Sequence, residues 1–212
     1  MASFRKTVNR RHFLKLGAVA TGAVVGGCGR PETPDSPPVT LDVGYRPLGH
    51  TGLQVSEVAF GAHGIGRPDL MRAAIDAGIN YFDVAPTYGN AEDMLGPALE
   101  PYRKDVFLAC KTQERTRDGA LAELDQSLQK MRTDHFDLYQ HHAVTKVADV
   151  ETILGPGGAM EGFEAAQKAG KVRFVGFSAH SVEAATALME GYDFDTLLFP
   201  FNYATWSEGN FG

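Results

Sequence analysis

Residues 77–99 read AGINYFDVAPTYGNAEDMLGPAL and predict a helix end, a short strand, a polar loop and a new helix. Gly78 follows a helical segment, at the position where a left-handed C-cap costs least. Residues 79–82 are strand formers, and the apolar residues at the end of the stretch recur at helical spacing. Asp83 ends the strand and Tyr88 lies in the loop. The stretch therefore presents a carboxylate and a phenol together where a strand gives way to a helix.

Strand-like and helical segments alternate along residues 43–212 with short connections, a pattern typical of a parallel sheet covered by helices. A turn between two extended pieces at 45–55 precedes the first unit and predicts a small hairpin. An eight-stranded barrel takes about 250 residues, and this sequence has room for about six β/α units. We therefore predict an α/β fold, an incomplete (β/α)8 barrel of the TIM type. The predicted strands are 56–60, 79–82, 106–110, 136–139, 172–177 and 196–199.

Local signals predict where several helices begin and which residues are buried. Pro68 suits the first turn of a helix, and the spacing predicts Leu70 on its buried face. Asp118 and Ser181 are predicted to cap two later helices. Cys110 lies inside an apolar strand and is expected to be a small buried side chain.

The opening stretch closely resembles the signature of the aldo-keto reductases, A-G-I-N-x-F-D-x-A-x-x-Y-G-x-A-E-x-x-L-G-x-A-L. The resemblance extends more loosely from about Tyr45 to the C-terminal residue. It implies a TIM barrel that reduces an aldehyde or ketone by hydride transfer from NAD(P)H. It also implies that residues 43–212 are the N-terminal portion of such a barrel and that the sequence is a C-terminally truncated fragment of it.

The chemistry implied by this resemblance needs an acid beside the carbonyl oxygen. A phenol, with a pKa of about 10, is a weak donor at neutral pH, and a nearby ammonium favours its ionisation. The positions that match the family's catalytic set are Asp83, Tyr88, Lys111 in FLACKT, and His142 at the end of DLYQHH. Tyr88 would donate the proton, with Lys111 promoting ionisation and Asp83 holding Lys111. His142 would orient the carbonyl oxygen or assist proton transfer.

The cofactor residues implied by the resemblance are Ser178, which matches a Ser-Asn pair after the fifth strand, and Asn202, which fits a Tyr-Asn ending. Ala179 stands where the family has Asn, and Phe199 stands where it has Gln. NADPH is the cofactor expected from the family. In the family, the aromatic residue that stacks on the cofactor and the loops that bind its phosphates follow the sixth strand. These 212 residues alone are therefore expected to bind NADPH poorly.

Two alternatives from other classes remain open in the sequence. His63, His142 and His180 also follow predicted strands, so a metal-dependent barrel hydrolase or isomerase could use them together with Asp83. That reading leaves Lys111 and Tyr88 without a role. The other alternative is a non-catalytic barrel that acts as a binding module.

Composition excludes some partners. The chain has 212 residues, is 43% hydrophobic and carries a net charge of −6, although residues 1–27 contain five positive charges and no acid. The remainder is more acidic still, which argues against nucleic acid as a partner, because phosphate binding needs clustered Lys and Arg. Two cysteines predict neither a disulfide framework nor a Cys-rich metal site.

The N-terminal residues resemble an export signal. NRRHFLK at 9–15 is similar to a twin-arginine motif, and the apolar run at 16–27 is too short to span a bilayer. The sequence VGGC ending at Cys28 also resembles a lipoprotein cleavage box. We expect residues 1–28 to be a signal peptide recognised by the Tat export machinery and 29–42 to be a Pro-rich linker. The protein would then be periplasmic, or tethered to the membrane through a lipidated Cys28.

Overall fold

The predicted alternation of strands and helices is present in the computed structural model, which describes residues 43–65 and 67–208. The chain divides into two units, Met1–Val39 and Thr40–Gly212. The predicted signal peptide, the linker and Cys28 lie outside the described residues, so they stay predictions.

The strands are β1 (Tyr45–Pro47), β2 (Gln54–Ser56), β3 (Phe60–Gly61), β4 (Tyr81–Asp83), β5 (Phe107–Thr112), β6 (Phe136–Val144), β7 (Val172–Ala179) and β8 (Thr196–Leu198). The helices are α1 (Pro68–Asp76), α2 (Ala91–Leu99), α3 (Arg117–Lys130), α4 (Val147–Leu154), α5 (Ala159–Lys168), α6 (Val182–Gly191) and α7 (Tyr203–Glu208), with a 3-10 turn at Glu100–Tyr102.

The main sheet holds β3 to β8 in chain order, and every neighbouring pair is parallel. Within the described residues, β3 pairs with β4 alone and β8 pairs with β7 alone, so the sheet has two open edges. It curls as a half-barrel, which confirms the predicted incomplete (β/α)8 barrel. The antiparallel hairpin of β1 and β2 precedes it, as predicted for 45–55.

The apolar core joins the sheet to the helices that cover it. Leu108 and Phe177 from the strands are fully buried with Leu124 of α3, Phe163 of α5 and Leu188 of α6. Burial of apolar surface at this interface stabilises the fold by about 25 cal/mol per Å², and this holds the helices on the sheet. None of the helices in the described part of the chain is long and apolar enough to cross a membrane.

Several predicted strand boundaries were wrong for reasons of pairing. The first barrel strand is Phe60–Gly61 rather than 56–60, because Ser56 pairs with Tyr45 in the hairpin. The strands β5, β6 and β7 run past their predicted ends, because parallel neighbours extend the ladder beyond the apolar run. Two further helices, α4 and α7, were not predicted from the sequence.

Two helix predictions were also wrong in detail. Thr116, not Asp118, caps α3, and its hydroxyl accepts from the backbone N–H of Gly119 at 3.3 Å. Leu70 is 45% exposed, and Met71 is buried in its place, because the small alanines of α1 leave the apolar stripe ambiguous. Ser181 caps α6 as predicted. Cys110 is a free and fully buried thiol, also as predicted.

Candidate active site

The sheet register brings three of the predicted catalytic residues to one face. Asp83 lies opposite Ala109, and Lys111 comes two residues after Ala109 on β5. Lys111 lies opposite Gln140, and His142 comes two residues after Gln140 on β6. Because side chains alternate along a strand with a period of two, the three side chains share one face and step towards the carboxyl ends of the strands. In a parallel barrel that rim carries the active site.

Tyr88 reaches the same rim from the loop between β4 and α2. Its backbone N–H donates to the carbonyl of Ala85 at 3.0 Å, which closes a tight turn. Gly89 follows with φ +67°, a left-handed conformation that glycine adopts without a steric cost. The loop therefore folds Tyr88 back over the strand ends before α2 begins at Ala91.

The Lys111 ammonium links Asp83 to Tyr88. Its Nζ forms an ion pair with the Asp83 carboxylate and donates to the Tyr88 hydroxyl at 3.3 Å. The same nitrogen lies 5.0 Å from the centroid of the Tyr88 ring. Lys111 is fully buried, so water screens both contacts less than it would at the protein surface. The arrangement holds a buried cation within hydrogen-bond distance of the Tyr88 hydroxyl.

Burial also acts on the Asp83 carboxyl. It raises the pKa of Asp83 above its ordinary value of 3.8, and the charge and hydrogen bond of Lys111 oppose that rise. The carboxylate thus depends on Lys111 for its ionised form, just as Lys111 depends on the carboxylate for a fixed position.

The His142 ring stands edge-on to Tyr88, with ring centroids 5.7 Å apart and planes at 84°. Burial, helped by the positive charges of Lys111 and Arg115, lowers the pKa of His142 to about 4. The imidazole is therefore neutral at pH 7. Its Nδ1 lies 3.4 Å from the Thr87 hydroxyl, and when that hydroxyl donates, the proton of the ring is on Nε2.

His141, the neighbour of His142, points to the opposite side of the sheet. Its ring stacks on Phe163 of α5 with centroids 4.0 Å apart and planes at 9°. Neither ring nitrogen has a hydrogen-bond partner among the described residues. Burial lowers the pKa of His141 to about 3, so this histidine is a neutral core residue.

A cavity of about 290 Å³ opens beside the Tyr88 hydroxyl. Polar groups of Lys111, His142 and Ser178 line one part of it, and Leu198 and Phe199 line another. A second cavity of about 290 Å³ lies on the other side of Tyr88, against His63 and Thr87. A small polar molecule in the first cavity would touch the phenol, the imidazole and the serine together.

The two predicted cofactor residues occupy different settings. Ser178 is 5% exposed, and its hydroxyl accepts from the backbone N–H of Ala143 at 2.8 Å. Asn202 is exposed, and its side-chain oxygen accepts from the N–H of Ala204 at 3.0 Å. Ser178 lines the cavity beside Tyr88, whereas Asn202 is not among the described residues that line it.

The metal alternative has no ligand set in the described residues. Across 43–65 and 67–208, no group of three or more His, Cys, Asp or Glu side chains converges as metal ligands do. His63 and His142 instead flank the Tyr88 ring, each edge-on to it. The predicted use of His63, His142 and His180 for one metal is therefore not supported.

Two residues of the site are not predictable from the sequence patterns described above. Thr87 contacts His142, although its place beside Tyr88 in the loop was the only available signal. The Arg115 guanidinium donates to the backbone carbonyl of His142 at 2.7 Å. No pattern in the sequence indicates that contact, because it joins the connection after β5 to a residue of β6.

Comparison with known proteins supports the family resemblance of the sequence. The Aldo/keto reductase family matches residues 67–208. Aldo-keto reductase YhdN of Bacillus subtilis is 28% identical over 183 residues, 74% of this chain and 54% of the relative. A 6-dehydroglucose reductase of Novosphingobium aromaticivorans is 32% identical over 174 residues, 70% of this chain and 55% of the relative.

Among solved structures, the holo form of aldo-keto reductase AKR11C1 from Bacillus halodurans superposes with a TM-score of 0.67 at 25% identity. The match covers 78% of this chain and 61% of that one. The chain spans about half the length of the curated relatives it matches. By sequence and by fold, this chain belongs to the aldo/keto reductase family.

Proposed function

We propose that the protein reduces an aldehyde or a ketone with NADPH, and that Tyr88 donates the proton. The observation that carries the proposal is the buried Lys111 ammonium, paired with Asp83 and 3.3 Å from the Tyr88 hydroxyl. A structural role alone would not require a buried cation to face a phenol that borders a cavity.

The proton step follows from this contact. As negative charge develops on the carbonyl oxygen, the Tyr88 O–H bond breaks and its proton forms the alcohol. The electron pair stays on the phenolate, which the Lys111 ammonium stabilises in surroundings of low dielectric. Asp83 keeps the ammonium in place, and solvent returns a proton to Tyr88 after the product leaves.

His142 would orient the carbonyl. Because burial and neighbouring cations keep it neutral, its Nε2–H can donate to the carbonyl oxygen without competing as a second acid. The Thr87 hydroxyl, 3.4 Å from Nδ1, supports that tautomer. Two donors, Tyr88 and His142, then converge on one oxygen.

The residues at the cavity fit the nicotinamide end of the cofactor. A reduced nicotinamide bound there would supply the hydride to the carbonyl carbon. After accepting from Ala143, the Ser178 hydroxyl keeps its own proton and one lone pair for a carboxamide. Ala179 offers no such group, and residues 196–212 contain no Lys or Arg for a phosphate. The choice of NADPH therefore follows from the family.

The test is Tyr88→Phe in the full-length protein. We expect reduction of a reactive aldehyde to fall to no more than a few per cent while cofactor binding persists, because only the donated proton is removed. Tyr102→Phe, at a half-buried tyrosine outside the cavity, is the matched control. Substantial turnover in Tyr88→Phe would refute the assignment, and no turnover in the parent would favour a non-catalytic binding module.

We also propose export through the Tat pathway, to the periplasm or to a membrane tether at Cys28. The support is the NRRHFLK motif and the short apolar run after it. Replacing Arg10 and Arg11 with Lys should leave the precursor in the cytoplasm, as cell fractionation would detect. Unchanged recovery of processed protein outside the cytoplasm would contradict the twin-arginine assignment. Cys28→Ala separates the two destinations by its effect on membrane association.

A further inference from the structure

The strand that carries His142 is irregular at that point. The register of β6 on β7 is regular up to His141 opposite Phe177, and the next pair is Val144 opposite Ala179. Three steps along β6 therefore match two steps along β7, which is a β-bulge. Bulges redirect side chains and are frequent beside active sites.

Ala143 is the strained residue of this bulge. Its φ is +51°, a left-handed conformation that residues with a Cβ rarely adopt. Such a conformation persists only where surrounding contacts enforce it. Directly after the bulge, the N–H of His180 donates to the Val144 carbonyl at 3.1 Å, so hydrogen bonding between the ends of β6 and β7 resumes there.

Side chains hold both ends of the peptide that joins His142 to Ala143. Its carbonyl oxygen accepts from Arg115 Nη2 at 2.7 Å, and its N–H donates to Ser178 Oγ at 2.8 Å. Both side chains are constrained: Ser178 is 5% exposed, and Arg115, 18% exposed, also faces Asp149 at 3.8 Å. The two contacts come from opposite sides, from the connection after β5 and from β7.

We propose that Arg115 and Ser178 are positioning residues that clamp the His142–Ala143 peptide and thereby hold the His142 imidazole at the cavity that Tyr88 borders. The inference rests on the proposed carbonyl reduction for its purpose, but the clamp itself is a property of the fold. Without the Ser178 hydroxyl, the bulged N–H has no acceptor, and Ala143 can relax towards an extended conformation. The ring of His142 would then turn with its backbone.

One isotope-labelled peptide tests both halves of the clamp. The pair His-Ala occurs once in these 212 residues, so ¹³C-carbonyl histidine with ¹⁵N-alanine labels the 142–143 peptide in a carbonyl-correlated NMR spectrum, and the signal that disappears in Ala143→Gly assigns it. In Ser178→Ala of the full-length protein, we expect this amide to exchange with solvent roughly tenfold faster, as for the loss of one hydrogen bond. In Arg115→Met, we expect the carbonyl resonance to move upfield, because its donor is gone.

Matched variants separate the clamp from a general loss of stability. Ser181→Ala is the control for Ser178→Ala. The Ser181 hydroxyl also accepts from a backbone N–H, that of Ala184 at 3.2 Å, but this hydrogen bond does not involve β6. Ser178→Thr keeps the hydroxyl and should keep the protection, even if Ser178→Ala does not fold. Equal exchange in parent and Ser178→Ala, equal acceleration in Ser181→Ala, or an unmoved carbonyl in Arg115→Met would overturn the proposal.

Activity provides a separate readout. In an active protein, Arg115→Met should lower kcat more than it raises KM, since Arg115 acts through His142. An inactive parent in which the labelled peptide still responds as expected would support the clamp and would refute the proposed function alone. A normal kcat in Arg115→Met, with the carbonyl resonance moved, would refute the positioning of His142.

Discussion

At the scale of single residues, adjacent histidines have opposite environments. His142 borders the cavity, and His141 stacks on Phe163 with both ring nitrogens unpartnered among the described residues. The cause is the alternation of side chains along β6. Only one imidazole can therefore serve the site, and the other affects stability.

The pKa of His141, about 3, has a definite consequence for stability. Between pH 3 and pH 6.5 the unfolded chain binds a proton that the folded chain does not, so stability falls as the pH falls through this window. At pH 5 the loss is about 2 kcal/mol, from an unfolded pKa of about 6.5.

His141→Phe should remove that loss, because a phenyl ring can stack on Phe163 and carries no proton. We expect the variant to be close to the parent in denaturant unfolding at pH 7 and about 2 kcal/mol more stable relative to it at pH 5. A parent and variant with parallel stability curves from pH 5 to pH 7 would contradict this account.

At the scale of elements, α2 and α3 approach each other through a glycine. A Cβ added at Gly96 would lie 2.1 Å from the carbonyl oxygen of Lys130 and 2.8 Å from Cα of Met131. Both are backbone atoms, so the helices would have to separate. The glycine of the L-G-x-A-L signature therefore has a packing role.

Gly96→Ala should destabilise the protein by about 1 to 3 kcal/mol, although alanine is the better helix former by about 1 kcal/mol. Thermal or denaturant unfolding measures the difference. Gly162→Ala in α5 is the matched control, since its added Cβ would meet its nearest atom at 3.0 Å and should cost less. Equal effects at the two positions would mean that the approach of α2 to α3 can relax.

At the scale of the whole molecule, the half-barrel leaves apolar surface and strand edges open. Leu197 and Leu198 on β8 are 44% and 48% exposed. A cavity of about 470 Å³ lies against Tyr81, Asp83 and Gln140. Parallel strands are normally covered on both faces, and open apolar edges favour aggregation.

Residues 41–212 expressed alone should therefore be insoluble or molten and should bind no NADPH. Solubility, cooperativity of unfolding and quenching of protein fluorescence by NADPH are the measurements. Leu197→Lys should improve recovery by placing a charge on the β8 edge. A monomeric 41–212 that unfolds cooperatively and is quenched by NADPH would contradict the prediction.

The sequence by itself determined the alternation of strands and helices, the half-barrel and the meeting of Asp83, Tyr88 and Lys111. These follow from local patterns, because consecutive parallel strands bring their carboxyl ends to one rim whatever their exact lengths.

The tertiary structure alone decided how far the strands extend, which contacts hold His142 and which core residues surround His141. Those features depend on the register between strands, and a shift of one residue turns a side chain to the other face. The contacts of Arg115 and Ser178 with one peptide join segments 63 residues apart in the sequence. No local pattern encodes them, because they exist only after β5, β6 and β7 have paired and the bulge has formed.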